Sequence, residues 1–196
     1  MVLVVATSNP NKLREIRELL ADAPINLATL ERWGRVETPA ETGTTFDENA
    51  RLKALYYARA TGELVVAEDS GLEVDALGGA PGVESARFGG EITYPEKFAL
   101  IYQALRERQV GEAFARFVCA LALARGSSVL FESRGTIEGR IAAEPRGNGG
   151  FGYDPIFFYP PYNCTLAEAT AEQKAAVSHR GQAFRRLRAF LESSRP

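Results

Sequence analysis

The chain predicts an α/β fold on a mixed sheet flanked by helices, and three observations carry that expectation. Apolar runs of strand length, VLVVA at 2–6 and LVVA at 64–67, each have an amphipathic helical stretch beside them in sequence. Two longer strand-like stretches, 114–124 and 129–142, are joined by GSS and read as a hairpin. Strands and helices alternate along the whole chain without a repeat or a linker, so the 196 residues read as one domain, 1–196.

Taken in order, VLVVA is a buried strand ended by the turn formers TSNPN. Leu13, Ile16, Leu19 and Leu20 then fall on one face of a helix starting near Pro10, a residue suited to a first helical turn. A weakly patterned stretch follows. Thr45 and Glu48 are spaced as a capping box for a helix that Gly62 stops. The strand LVVA ends in the acidic turn EDSG, and Phe98, Ile101, Tyr102 and Leu105 mark a helix over 93–108. After the hairpin comes a Gly- and Pro-rich loop, 144–161, and then two helical patterns, one from about Thr170 and one from Ser178 to the end.

A net charge of -2 without a basic block argues against a nucleic-acid or membrane-surface binder. Cys119 and Cys164 have neither metal nor redox spacing and read as reduced thiols of a cytoplasmic protein. No apolar run is long enough to span a membrane.

Five clusters carry chemistry. In TSNPNK, Lys12 stands in the first turn of a helix, where partial positive charge disfavours a cation by roughly 0.3–1 kcal/mol. An anion at the same place reverses the penalty, so Thr7, Ser8, Asn9, Pro10, Asn11 and Lys12 read as a phosphate cradle. Alone, the segment could equally be a helix capped by Asn9 or Ser8 with Lys12 in water. Asn49 and Lys53, four apart, share a helix face downstream of Glu41; a solvated face is the competing reading. Glu68 and Asp69 follow a hydrophobic strand directly. Such oxygen donors suit Mg2+, and an aspartate there can take a proton from water; a polar turn is the alternative.

The loop RGNGGFGYDP contains a GxGxxG pattern, but Tyr153, Asp154 and Pro155 follow it where a dinucleotide site needs a helix. Its rings, Phe151 and Tyr153, could instead stack on a base beside Gly152 and Asp154, or simply fill a core. In SHRG, His179 is the only histidine in the chain and adjoins Arg180, with Lys174 just upstream. No P-loop, HExxH or GxSxG elbow is present. Cations for a polyphosphate, carboxylates for a metal and a ring for a base together point to a nucleoside triphosphate.

The segments TSNPNK, ETGTTFDENARLKA, AEDSGLEVDALGGAPGVESARF, FGYDPIF and SHRGQAF run in order from residue 7 to 184. In them the chain resembles the inosine/xanthosine triphosphate pyrophosphatase family, which cleaves ITP, dITP and XTP between the α and β phosphates. The resemblance implies an elongated α/β structure with two lobes and a central cleft, a homodimer and a Mg2+ cofactor. It implies that Thr7 to Lys12 and Lys53 hold the triphosphate. Glu41 and Asp69 would serve the metal with Glu68 as helper, and Asp69 would be the base. Ser70, Phe151, Gly152, Tyr153, Asp154, Lys174, His179 and Arg180 would line the nucleotide pocket.

A donor such as Arg180 would pair with the 6-oxygen of hypoxanthine or xanthine and face a donor in adenine. Guanine shares that oxygen, so its rejection must arise near position 2. Two positions depart from the family pattern: Ala175 where an asparagine is expected, and Glu84 where an aromatic is. The nearest alternative is the related pyrophosphatase for modified pyrimidine nucleotides, which is not expected to carry FGYDP followed by SHRG. A nucleotide-binding regulator without catalysis is the alternative from another class.

Overall fold

The computed structural model describes residues 2–193 except 24 and 35. It bears out the α/β expectation. Seven strands form one sheet in the order β2-β1-β3-β4-β5-β6-β7. They are β1 (Val2–Ala6), β2 (Asn26–Thr29), β3 (Leu64–Val74), β4 (Phe114–Arg125), β5 (Ser128–Ile141), β6 (Phe157–Tyr159) and β7 (Cys164–Thr165). β1 is parallel to β2 and β3, whereas β6 is antiparallel to β5 and β7, so the sheet is mixed. The helices are α1 (Pro10–Leu19), α2 (Phe46–Thr61), α3 (Tyr94–Glu107), α4 (Ala171–Val177) and α5 (His179–Ser193). The tail of the last predicted helix, 194–196, lies outside the described residues.

The chain sorts into two compact units. The first holds the chain up to Asp69, Cys119–Gly135 and the C-terminal stretch from His179; the second holds Ser70–Val118 and Thr136–Ser178.

In the first unit the alternation of a strand explains most of the packing. Leu64 and Val66 of β3 and Leu3 and Val5 of β1 share one apolar cluster with Ile16 and with Ala183, Phe184, Leu187 and Leu191 of α5. The spacing 183, 187, 191 is one helical stripe, and each fully buried Leu or Phe contributes about 1.5–3 kcal/mol. Val65, Ala67 and Asp69 take the opposite face of β3. α2 starts on the expected capping box, Thr45 with Glu48, and ends at Gly62, whose φ of 73° is left-handed.

In the second unit Phe98, Ile101 and Leu105 of α3 pack with Leu72 and Val74 of β3, Ala115 and Phe117 of β4, and Phe157. Two differences from the sequence expectation matter. The weakly patterned stretch contains β2 and a 3-10 turn, Leu30–Trp33. More consequentially, EDSG is no turn: β3 runs through it to Val74. Asp, Ser and Gly favour turns locally, but Glu68 finds two cations on one side of the strand and Asp69 finds one on the other. Beyond them the Leu72 N–H donates to the Ser85 hydroxyl at 2.9 Å.

Candidate active site

Because β3 continues, Glu68 and Asp69 project to opposite faces, and the first unit holds two separate charged clusters rather than one acidic pair.

On one face, Glu68 meets Lys12 of α1, whose Nζ lies 2.9 Å from Oε1, and Arg180 of α5, whose Nη2 lies 3.2 Å from the same oxygen. Arg180 Nη1 reaches Glu15 Oε2 at 2.6 Å. Lys12 and Glu15, three apart, project from the same side of α1. Cys119 donates its thiol proton to Glu68 Oε2 at 3.0 Å. Burial alone would raise the Glu68 carboxyl, but the Arg180 and Lys12 charges hold it well below the ordinary range. Burial pushes the Cys119 thiol well up and the Glu68 charge adds to that, which keeps it a donor.

The lysine at the helix start therefore has its anion within the protein. Its helix is capped by Asn9, whose Oδ1 accepts from Asn11 N at 2.9 Å and from Lys12 N at 3.3 Å. Lys12 therefore does not extend into water, the alternative the sequence leaves open; its ammonium rests on a buried carboxylate. Thr7, Ser8, Asn9 and Pro10 line a cavity of about 340 Å³ that Thr38 and Tyr57 also border.

On the other face, α2 grips Asp69 with two side chains four residues apart. Lys53 Nζ lies 2.9 Å from Oδ1, and Asn49 Nδ2 donates to Oδ2 at 3.2 Å. Lys53 Nζ also reaches Glu41 Oε1 at 2.8 Å, so two carboxylates converge on one ammonium. Burial raises the Asp69 carboxyl, Lys53 lowers it and the nearby Glu41 charge raises it again, and the net shift is upward. Burial lowers the Lys53 ammonium, but the Asp69 and Glu41 carboxylates more than offset it and the net shift is upward. Glu41 and Asp69 can serve a small hard cation. Glu68, offered by the sequence as a third ligand, is engaged by Lys12, Arg180 and Cys119 instead. Among the described residues, no three His, Cys, Asp or Glu side chains gather as a metal-holding group.

The second unit carries the aromatic loop. Asp154, 2% exposed, accepts at Oδ2 from Phe151 N at 2.7 Å and from Lys174 Nζ at 2.5 Å. Lys174 Nζ also sits 4.6 Å from the centre of the half-buried Phe151 ring. Gly150 permits the turn, with φ of 66° and a Cβ position only 2.1 Å from Asp154 Oδ2. Tyr153 is placed differently from the sequence expectation of a base-stacking ring. It is 3% exposed, donates its hydroxyl to Ser85 O at 2.8 Å and meets Tyr94 edge-on at 5.2 Å, because its ring completes the core beside Phe98.

Of the remaining predicted residues, Gly152 follows Phe151 with φ of 67°, and Ser70 is half-buried in β3. His179 is buried as the first residue of α5. Arg180 is 1% exposed and gives its terminal nitrogens to carboxylates, which leaves the expected pairing with a purine 6-oxygen without support here. Glu15 and Cys119 were not foreseen. Glu15 had a signal in its spacing from Lys12; Cys119, inside an apolar strand, had none. Of the two departures, Glu84 pairs at the surface with Arg87 at 3.1 Å, and Ala175 lies in α4.

A curated dITP/XTP pyrophosphatase of an Exiguobacterium species is 50% identical over 194 residues, covering 97% of each chain. Another dITP/XTP pyrophosphatase, from Thermus thermophilus, is 48% identical and covers 98% of this chain and 91% of its own. The solved structure of a HAM1 protein from Coxiella burnetii superposes with a TM-score of 0.92 at 40% identity, covering 99% of this chain and all of that one. The model of the Ham1 family matches residues 3–190, and with these relatives it establishes that the chain belongs to the Ham1 family.

Proposed function

We propose that the protein hydrolyses the non-standard purine nucleotides ITP, dITP and XTP to the monophosphate and pyrophosphate, with Mg2+, and that Asp69 is the general base. Family membership and the names of the relatives support the substrate class. The observation that carries the mechanism is the grip on Asp69: a buried carboxylate raised in basicity, fixed through both oxygens and facing Glu41 across Lys53.

In this reading, water attacks the α phosphorus as the bond to the bridging α–β oxygen breaks. Pyrophosphate departs, and Asp69 takes the proton of the attacking water. Lys53 and the Thr7–Lys12 segment, with Lys12 poised by Glu68, bind the triphosphate. Glu41 and Asp69 suit Mg2+, which takes one or two carboxylates and fills its shell with water and substrate phosphates. Bound there, the ion would neutralise charge on the phosphates. Phe151 offers a ring for the base, with Lys174 beside it as a donor and Asp154 holding both; the family resemblance adds Ser70, Gly152 and His179 as nucleotide contacts. On the family resemblance the enzyme works as a cytoplasmic homodimer; among the described residues no helix is long and apolar enough to cross a membrane.

Incubation with Mg2+ and a panel of nucleoside triphosphates tests the proposal. Pyrophosphate should appear from ITP, dITP and XTP far faster than from ATP. Orthophosphate as the product, or equal rates on ATP and ITP, would sink it.

A further inference from the structure

Asn49 is fully buried, makes one of the two bonds that grip Asp69, and sits where only a specific polar task justifies it. Its amide is oriented without ambiguity. The backbone N–H of Gly43 can only donate, and it donates to Oδ1 at 2.8 Å. That turns the NH2 group toward Asp69 Oδ2, 3.2 Å away, and toward the Gly43 carbonyl at 3.4 Å. One side chain thus joins the segment that carries Glu41 to the carboxylate of Asp69. The approach is tight: a Cβ on Gly43 would lie 2.7 Å from Asn49 Oδ1 and 2.7 Å from Glu48 Cβ. A glycine at 43 lets the backbone come close enough for the bridge to form.

Resting on the functional reading above, we infer that Asn49 is a positioning residue for the reaction. Lys53 alone would leave the Asp69 carboxyl free to turn about its last side-chain bond, because one ammonium fixes one oxygen. Asn49 fixes the other, four residues away on the same face of α2, so the plane of the carboxylate is set. The amide is neutral and only donates to Asp69, so it orients the base without adding charge. It touches neither substrate nor reacting atoms in this role; it acts through Asp69 and, by way of Gly43, through the Glu41 segment.

The test compares wild type, Asn49→Ala and Asn49→Asp in steady-state release of pyrophosphate from ITP. Amide hydrogen exchange at Gly43 and thermal melting are measured in parallel. Asn49→Ala should lower kcat by about 10–100-fold with KM within about threefold of wild type, and should speed exchange at Gly43. Asn49→Asp keeps an acceptor for Gly43 N–H and sets a carboxylate against Asp69. It should retain Gly43 protection and lose kcat at least as severely. That split separates orientation of the base from simple anchoring of the loop, and from misfolding, which melting reads directly. Either variant within about twofold of wild-type kcat, or a loss confined to KM, overturns the inference. A wild-type protein that releases no pyrophosphate from ITP overturns the functional reading instead and takes this inference with it, while Gly43 exchange still reports the bridge itself.

Discussion

Glu68 and Asp69 are neighbours in one strand, yet they occupy opposite electrostatic settings. Glu68 faces two cations and a thiol donor, and its carboxyl is held far down; Asp69 faces one shared lysine, a neutral amide and a second carboxylate, and its carboxyl is pushed up. Period-two alternation of β3 makes this possible, since adjacent side chains see different layers of the fold. The difference assigns the two acids different work. A carboxylate stabilised in its charged form is a poor proton acceptor and a good anchor for Lys12 and Arg180. One destabilised in its charged form is a better base.

The largest effect expected is on catalysis. Asp69→Asn should lower pyrophosphate release by about 10²–10⁴-fold with little net change in stability, because the loss of a costly buried charge is offset by an NH2 group set against the Lys53 or Asn49 donor. Glu68→Gln should instead cost stability. It leaves Lys12 without its counter-charge and the buried Arg180 with Glu15 alone, at about 3–5 kcal/mol, read by urea unfolding. The pH dependence sharpens the contrast. The depressed Glu68 carboxyl contributes stability in full above its unfolded value, and that contribution is lost as pH falls through the folded one. The raised Asp69 carboxyl acts oppositely, since its protonation relieves a cost as pH falls. Equal destabilisation by the two variants would break the comparison.

Local patterns in the sequence announced much of this fold and less of the site. Helix starts were legible because caps are short-range: Asn9 before Pro10, Thr45 with Glu48 and Thr170 ahead of α4 all sit where their spacing put them. β3 was misread past Ala67, because turn propensity in EDSG is local whereas the cations that keep it extended come from α1, α2 and α5. Lys12 was recognised as needing an anion, but the anion supplied by Glu68 lies 56 positions on, a pairing no window on the sequence contains. Tyr153 failed as a stacking ring for the same reason: whether a loop aromatic faces solvent or core depends on Tyr94 and Phe98, which belong to a distant helix.

The two rings of the loop that carries Tyr153 yield the smaller predictions. Phe151 and Tyr153 are two residues apart in one loop, one half-buried under the Lys174 ammonium and the other in the core of its unit. If Phe151 stacks on the base, Phe151→Ala should raise KM for ITP by roughly tenfold, the lower part of the range for one base–aromatic contact, with melting nearly unchanged. Tyr153→Phe keeps the ring and removes only the hydroxyl that donates to Ser85 O. It should cost about 0.5–1.5 kcal/mol of stability and leave KM for ITP where it was, as measured by urea unfolding beside steady-state kinetics. A rise in KM for Tyr153→Phe without a loss of stability would mean that the hydroxyl serves the nucleotide rather than the core, and the division between the two rings would have to be redrawn.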